Sequence, residues 1–440
     1  MDLLRAVKGM DDLYETDLVL WRHVEQVARE TFLAYGFGEI RTPILEETAL
    51  FVRAVGAATD VVGKEMFAFE DKGGRDNTGK LVCLRPENTA GVVRAMLEAG
   101  KLGADSFSQV FYVGPMFRRE QPQAGRRRQF HQIGCEAFGF SEPGMDVATM
   151  ALVQTLLQRL GLAGSTKLLI NSLGDSAERA GYTAALVAYF GQHQDRLSDD
   201  SKRRLQQNPL RIFDSKDRND QAIAKDAPKP LAFLSDAARA HFDDVTAGLT
   251  RLGIPFVVDE TLVRGLDYYT RTVFEFVGEA GLGAQSTVCA GGRYDGLVET
   301  LGGRPTPAVG FAGGIERLVL MIKALNAAPD VAGPDLFLVS ADDAGRLECE
   351  RLAYQLRQRG IRVVVDVRGR PERAQRKSAD KSGARLSAVI GSSDIAARTV
   401  KVKTTATGDV SEVALDASAL SELSSELSGG LQGKESLVRP

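Results

Sequence analysis

The 440-residue sequence has little of what builds metal sites or disulfide frameworks: four cysteines and four histidines. Cys83, Cys135, Cys289 and Cys349 lie far apart and form no CxxC pair. That spacing speaks against zinc sites and disulfide staples, and for buried thiols acting as small hydrophobes. His23, His131, His193 and His241 lack metal-ligand spacing, so no metal ligand is assigned. No Ser/His/Asp or Cys/His grouping can be placed, so no nucleophile is assigned either. No GxxxxGK[ST] occurs, and AGGRYDG (290–296) lacks GxGxxG spacing, which argues against P-loop and Rossmann phosphate sites. No stretch approaches the ~18 apolar residues of a membrane span. The start, MDLLRAVKGMDDLYETD, is acidic where a secretory leader is apolar, so a cytoplasmic location is expected. With 55 Lys+Arg against 58 Asp+Glu, the chain as a whole does not attract nucleic acid. Any such binding has to come from local patches.

What is present is an ordinary globular composition, 44% hydrophobic and 26% charged, in a chain long enough for roughly three domains. Residues 17–35 (DLVLWRHVEQVARETFLAY) carry apolar positions at helical spacing and stop at Gly36, as a helix with a glycine C′ does. EIRTPILE (39–46) reads as a short strand interrupted by Pro43. Proline cannot donate to a ladder, which places this strand at an edge or an interface. SFSQVFYVGPMF (106–117) and FHQIGCEAFGF (130–140) read as two strands joined by a loop rich in arginine, and TKLLINSLG (166–174) as another. From 175 to 258 the pattern turns helical and glycine thins out, as in an insertion. Strand-rich sequence resumes at 255–276. Beyond NAAPDVAGP (326–334), strands and helices alternate as in a small α/β domain with a largely parallel sheet. The expected division is a main domain in two parts, 1–174 and 259–325, around a helical insertion at 175–258. A linker (326–334), an α/β domain (335–420) and a disordered tail (421–440) follow.

The arginine-bearing hairpin is the most informative stretch. Strand alternation points Ile133, Cys135 and Ala137 one way and Gln132, Gly134 and Glu136 the other. Arg118 and Glu120 share a face if the first strand extends that far. A polar surface of Arg118, Glu120, Gln132 and Glu136 suits a ligand with anionic and cationic parts, such as an amino acid and a nucleotide. A surface salt-bridge ladder fits the same pattern. LVRGLDYYTRTVFEF supplies Arg264 with Tyr268 and Tyr269, which are core rings or polar-tipped pocket walls. In AGGRYDG, Gly291 and Gly292 permit close backbone approach to a ligand, beside Tyr294. GFAGGIER places Arg317 at a strand-to-helix passage, where an arginine reaches a phosphate or stacks on a base.

In this order the stretches resemble the class II aminoacyl-tRNA synthetases: a proline-bearing dimer strand (EIRTPILEETALF), then FRREQPQAGRRRQF, then GFAGGIERL. LVRGLDYYTRTVFEF and CAGGRYDGL are more specific and resemble the histidine-binding motifs of the histidyl-tRNA synthetase family. LRPENTAGVVRA, NPLRIFDSK and SADKSGA fit the same family, so the resemblance reaches to about residue 415. It implies an α+β catalytic domain built on an antiparallel sheet, with a helical insertion and a C-terminal α/β anticodon-binding domain. The implied reaction is ATP-dependent activation of L-histidine to histidyl-adenylate, followed by transfer to the 3′ end of tRNA(His). Arg118 and Arg264 would hold the α-phosphate as catalytic residues, Glu120 and Arg126 would join the ATP site, and Arg317 would clamp the nucleotide. Glu87, Thr89 and Gln132 would meet the substrate amino group. Glu136 and Tyr269 would bracket the imidazole, with Arg264, Tyr268 and Tyr294 completing the histidine pocket. Gln123 and Arg127 would face the tRNA acceptor end. Mg²⁺ accompanies ATP, and a homodimer through the Pro43 strand region is implied. Asn88 stands where the family often has glycine. The alternative is the family's paralogue, a histidine-sensing regulatory subunit of ATP phosphoribosyltransferase. That paralogue typically lacks the last domain and some catalytic residues, whereas Arg118, Arg264, Arg317 and the last domain are all here.

Overall fold

The computed structural model describes residues 3–56, 59–71, 79–103, 106–123, 125–282, 286–329 and 333–425. The chain divides into two compact units, Met1–Pro329 and Asp330–Pro440.

The first unit is built on eight strands: β1 (Gly38–Glu39), β2 (Ser108–Phe117), β3 (Gln129–Phe138), β4 (Thr166–Ser172), β5 (Val257–Val258), β6 (Thr270–Gly278), β7 (Thr287–Arg293) and β8 (Ala308–Gly314). Their spatial order is β1-β2-β3-β8-β7-β6-β4-β5. The six inner strands are antiparallel throughout, while β1 and β5 pair in parallel at the two edges. One sheet face is covered by the helices Glu15–Ala34, Pro143–Arg159, Asp236–Arg251 and Ile315–Ala324, which share one core with it. The first of these buries Leu20, Trp21, Val24, Val27, Ala28, Thr31 and Phe32, a stripe at helical spacing. It ends at Gly36 with φ +82°, the left-handed turn that glycine adopts without strain. Ile133, Cys135 and Ala137 of β3 point into this core, which leaves the opposite face for polar side chains.

Pro43 lies between β1, an edge of the large sheet, and the Leu45–Glu47 strand, an edge of a three-stranded sheet. The helical segment divides between two cores. Tyr182, Leu186, Phe190, Leu205, Ile212 and Ile223 form a cluster of their own, whereas Phe242, Val245 and Leu249 of Asp236–Arg251 pack into the main core.

Deep in this unit Arg293 and Asp146 form an ion pair with both side chains 0% exposed. Arg293 Nη1 also donates to the Phe140 carbonyl at 2.7 Å, and His241 Nε2 lies 3.5 Å from Asp146. Burial alone would raise the Asp146 pKa, but His241 and Arg293 outweigh it and hold the group ionised. Removing one partner strands a buried charge. Asp146→Ala is therefore expected to cost about 3–5 kcal/mol of stability, read from chemical denaturation.

In the second unit Val363–Val365, Leu336–Ser340 and Leu386–Ile390 run parallel, and Thr399–Thr404 and Val410–Ala414 extend the sheet antiparallel. The helices Asp343–Gln358 and Glu372–Lys381 are the connections between the parallel strands. Residues 417–425 are helical. They bury Ala417 and Leu420 and pack Leu423 against this unit's core, and the helix runs past 421, where the disordered tail is expected to start. Its remainder, 426–440, lies outside the described residues, as do 330–332 of the expected linker.

Candidate active site

The polar face of the sheet forms the floor of a cavity of about 520 Å³. Glycines on the inner strands leave room for side chains above this face, and Gly310 itself lines the cavity. A Cβ at Gly114 would fall 2.6 Å from Arg85 Nη2, and one at Gly134 2.5 Å from the Tyr112 hydroxyl. A Cβ at Gly310 would overlap the Glu136 carboxylate. The missing side chains thus give room to large polar groups from neighbouring strands. Gly291 and Gly292 behave differently from expectation. A Cβ there would strike the Gly310 carbonyl, the Thr272 carbonyl and the Tyr269 ring, so the close approach is made by the protein itself and not by a ligand.

Glu136 is fully buried. Thr89 Oγ1 donates to its Oε1 at 2.7 Å, and the Tyr294 hydroxyl donates to its Oε2. Burial pushes its pKa up to about 8, against the lowering effect of those two donors. Tyr268 packs on both Tyr269 and Tyr294, with ring centroids 4.8 and 5.5 Å away, forming an aromatic wall. Gln132 lines the cavity as well. Glu87 also lines it, but its carboxylate accepts the backbone N–H groups of Thr89 (2.7 Å) and Ala90 (3.0 Å). Glu87 thereby caps the Thr89–Glu98 helix. Asn88 Oδ1 accepts from Thr42 Oγ1 at 2.6 Å and from Arg85 Nη1 at 3.2 Å, tying the helix start to the segment around Pro43.

Six arginines also line the cavity, Arg118, Arg126, Arg127, Arg211, Arg264 and Arg317, and Arg264 lies over the Tyr269 ring at 5.8 Å. Arg118 follows β2, donates from Nε to the Pro86 carbonyl at 2.9 Å and lies over Phe130 at 5.3 Å. Arg126 pairs with Glu120 at 2.8 Å. Arg317, in the first turn of Ile315–Ala324, donates from Nε to the Gly125 carbonyl at 3.1 Å. Burial and the nearby Arg126 lower its pKa. Arg264 pairs with Glu275 of β6, and Glu275 in turn accepts from Thr287 Oγ1 at 2.7 Å. Arg127 lines the cavity edge and pairs with Asp11 at 2.9 Å. Gln123 is exposed, lies outside the lining and is held through a backbone bridge to Arg126. Sequence reasoning missed Glu275 and Tyr112, which both line the cavity. The available signal for Glu275 was a lone carboxylate within the apolar strand TVFEFV. Among the described residues, Tyr112 OH, Gln132 Oε1 and Arg264 Nε are buried beside the cavity without a hydrogen-bond partner. Such atoms are costly to leave unpaired and fit a polar substrate.

The six-stranded antiparallel sheet with parallel edges, carrying arginines from a strand hairpin and from a strand-to-helix passage, defines a class II aminoacyl-tRNA synthetase. Residues 9–318 match the family model described as histidyl-tRNA synthetase, and residues 336–424 match an anticodon binding domain. The chain belongs to the histidyl-tRNA synthetase family. It is 48% identical to the histidine–tRNA ligase of Anaeromyxobacter dehalogenans over 97% of this chain and 100% of that one. It is likewise 48% identical to that of Crocosphaera subtropica, over 92% and 91%. The apo histidyl-tRNA synthetase of S. aureus superposes with a TM-score of 0.78 at 36% identity, covering 94% of this chain and 98% of that one. An ATP phosphoribosyltransferase regulatory subunit/histidyl-tRNA synthetase from Bacillus halodurans shares the fold, with a TM-score of 0.62 at 23% identity over 89% and 98%.

Proposed function

We infer that this protein is a histidine–tRNA ligase that activates L-histidine with ATP and passes the histidyl group to tRNA(His). The observation that carries this reading is one cavity lined both by a buried carboxylate ringed by tyrosines and by six arginines. The imidazole would lie between Glu136 and Tyr269, and the amino group near Gln132, Thr89 and Glu87. The histidine carboxylate is ionised at neutral pH, so its attack on the α-phosphorus needs no protein base. It forms a C–O–P bond as the bond to pyrophosphate breaks. Arg118 from the β2 side and Arg264 from the β6 side would neutralise the charge that develops there. Arg126 and Arg317 would hold the outer phosphates and the base end.

Mg²⁺ would enter with ATP as its counter-ion. Among the described residues no three His, Cys, Asp or Glu side chains converge to hold a metal, and Glu120 and Glu275 are each engaged by an arginine. Arg127 and Gln123 would meet the acceptor end, and the second unit the anticodon arm. A homodimer through the Pro43 region is supported by exposed Ile44 (43%) and Leu45 (44%) beside two edge strands. Among the described residues no helix is long and apolar enough to cross a membrane.

The test is histidine-dependent ATP–pyrophosphate exchange by the purified protein. Exchange with histidine, and none with the other amino acids, is expected. A protein that binds histidine without exchange would instead be a regulatory paralogue.

A further inference from the structure

The loop that carries Arg264 is gripped from behind by the helical insertion. Asp267, three residues after Arg264, accepts Arg179 Nη1 on its backbone carbonyl at 2.8 Å. Its carboxylate Oδ1 accepts Asn208 Nδ2 at 3.0 Å. Arg211 of the insertion donates to the Gly265 carbonyl and lies 3.8 Å from the Asp267 carboxylate. The Asp267 N–H is directed to the Val55 carbonyl at 3.4 Å, and a Cβ on Gly56 would fall 2.8 Å from Asp267 Oδ2. The Arg264 guanidinium pairs with Glu275 and lies over the Tyr269 ring at 5.8 Å, and its Nε has no hydrogen-bond partner among the described residues. The backbone on either side of Arg264 is therefore set largely by groups outside its own strand.

Arg179 and Asn208 line a smaller cavity of about 190 Å³ behind the loop and do not line the main one. They cannot reach a substrate in the main cavity directly. We propose that Arg179 and Asn208 are positioning residues: through Asp267 they fix the Arg264 guanidinium for the phosphoryl-transfer step, which makes the insertion part of the activation machinery. This rests on the reading of Arg264 given above. A cation that acts on developing charge works only at its designed place, and displacement of about 1 Å costs about 10²-fold in rate.

Two variants isolate the effect. Arg179→Met removes the donor to the Asp267 carbonyl. Asn208→Asp keeps the oxygen that accepts Leu210 N–H at 3.2 Å, but replaces the donor facing Asp267 with a like charge. Both are expected to lower kcat of ATP–pyrophosphate exchange by about 10–100-fold. The KM values for histidine and ATP should move less than about threefold, because ground-state contacts remain. Arg179→Lys, which retains a cationic donor, is expected to recover most of kcat. Wild-type kcat in both Arg179→Met and Asn208→Asp would overturn the proposal. So would a loss confined to KM, or no recovery in a folded Arg179→Lys variant. Single-turnover adenylate formation in the Arg264→Ala background closes the test. Acting through Arg264, Arg179→Met should add little there; a further drop of full size would assign it a separate role and overturn the proposal. If Arg264→Ala alone were fully active, the reading of Arg264 would fall first, and that result is distinct from normal turnover in Arg179→Met.

Discussion

Arg264→Ala is expected to lower the rate of histidyl-adenylate formation by about 10²–10³-fold, the usual cost of removing one electrostatic contact made to a transition state. The arginine sits beside the cavity with its Nε unpaired, and its Nη1 is held by Glu275. Burial works against its charge, but Glu275 outweighs this and raises its pKa, so the cation persists across the working pH range. The change should leave the fold intact, because Glu275 keeps the Thr287 hydroxyl as a donor and is not cut off from solvent (15% exposed). Rapid-quench measurement of adenylate, together with a thermal melt, checks both halves. A near-normal rate would remove Arg264 from the catalytic set.

Glu136→Gln is expected to have a still larger effect, lowering kcat/KM for histidine by about 10⁴-fold. A site built to hydrogen-bond a ring nitrogen rejects whatever leaves its buried polar groups unpaired. The same variant carries a stability signature of definite sign. Glu136 has a folded-state pKa of about 8 against an ordinary 4.5, chiefly through burial, so folding favours its protonated form. That contribution is complete below about pH 4.5 and is lost as pH rises through about 8. The wild-type protein should therefore lose stability over this window, and Glu136→Gln, which has no charge to bury, should show a flatter profile. Urea midpoints at pH 5 and pH 8.5 measure the difference, and equal slopes would refute it.

Strand parity was enough to put Gln132 and Glu136 on one face and Ile133, Cys135 and Ala137 on the other. It worked because β3 is regular over ten residues with one face in a dry core. Gly36, a single left-handed residue, likewise marked the end of its helix. Period 2 cannot report what lies across a gap between distant segments. That Glu87 spends its carboxylate on a helix start, or that Glu275 pairs with Arg264, depends on contacts made only once the sheet has closed. The glycines at 291 and 292 misled for the same reason. Sequence records a need for space at such a position, but not whether a ligand or a neighbouring strand takes it. The helical segment 175–258 read as one block because helix pattern says nothing about partners, and Asp236–Arg251 joined the main core.

The scarce cysteines noted at the outset have a consequence of their own. Cys135 and Cys289 lie in the core beneath the catalytic sheet, Cys83 in the cluster under the Thr89–Glu98 helix and Cys349 in the core of the second unit. Burial raises the pKa of each, for Cys289 and Cys349 to about 12, so the reactive thiolate is suppressed in the folded state. The molecule thus holds native chemical clocks, at least one in each of three separate cores. Each is silent while its own core is closed and can be labelled when that core opens, so the breathing of the catalytic sheet can be timed apart from that of the second unit without adding any foreign label.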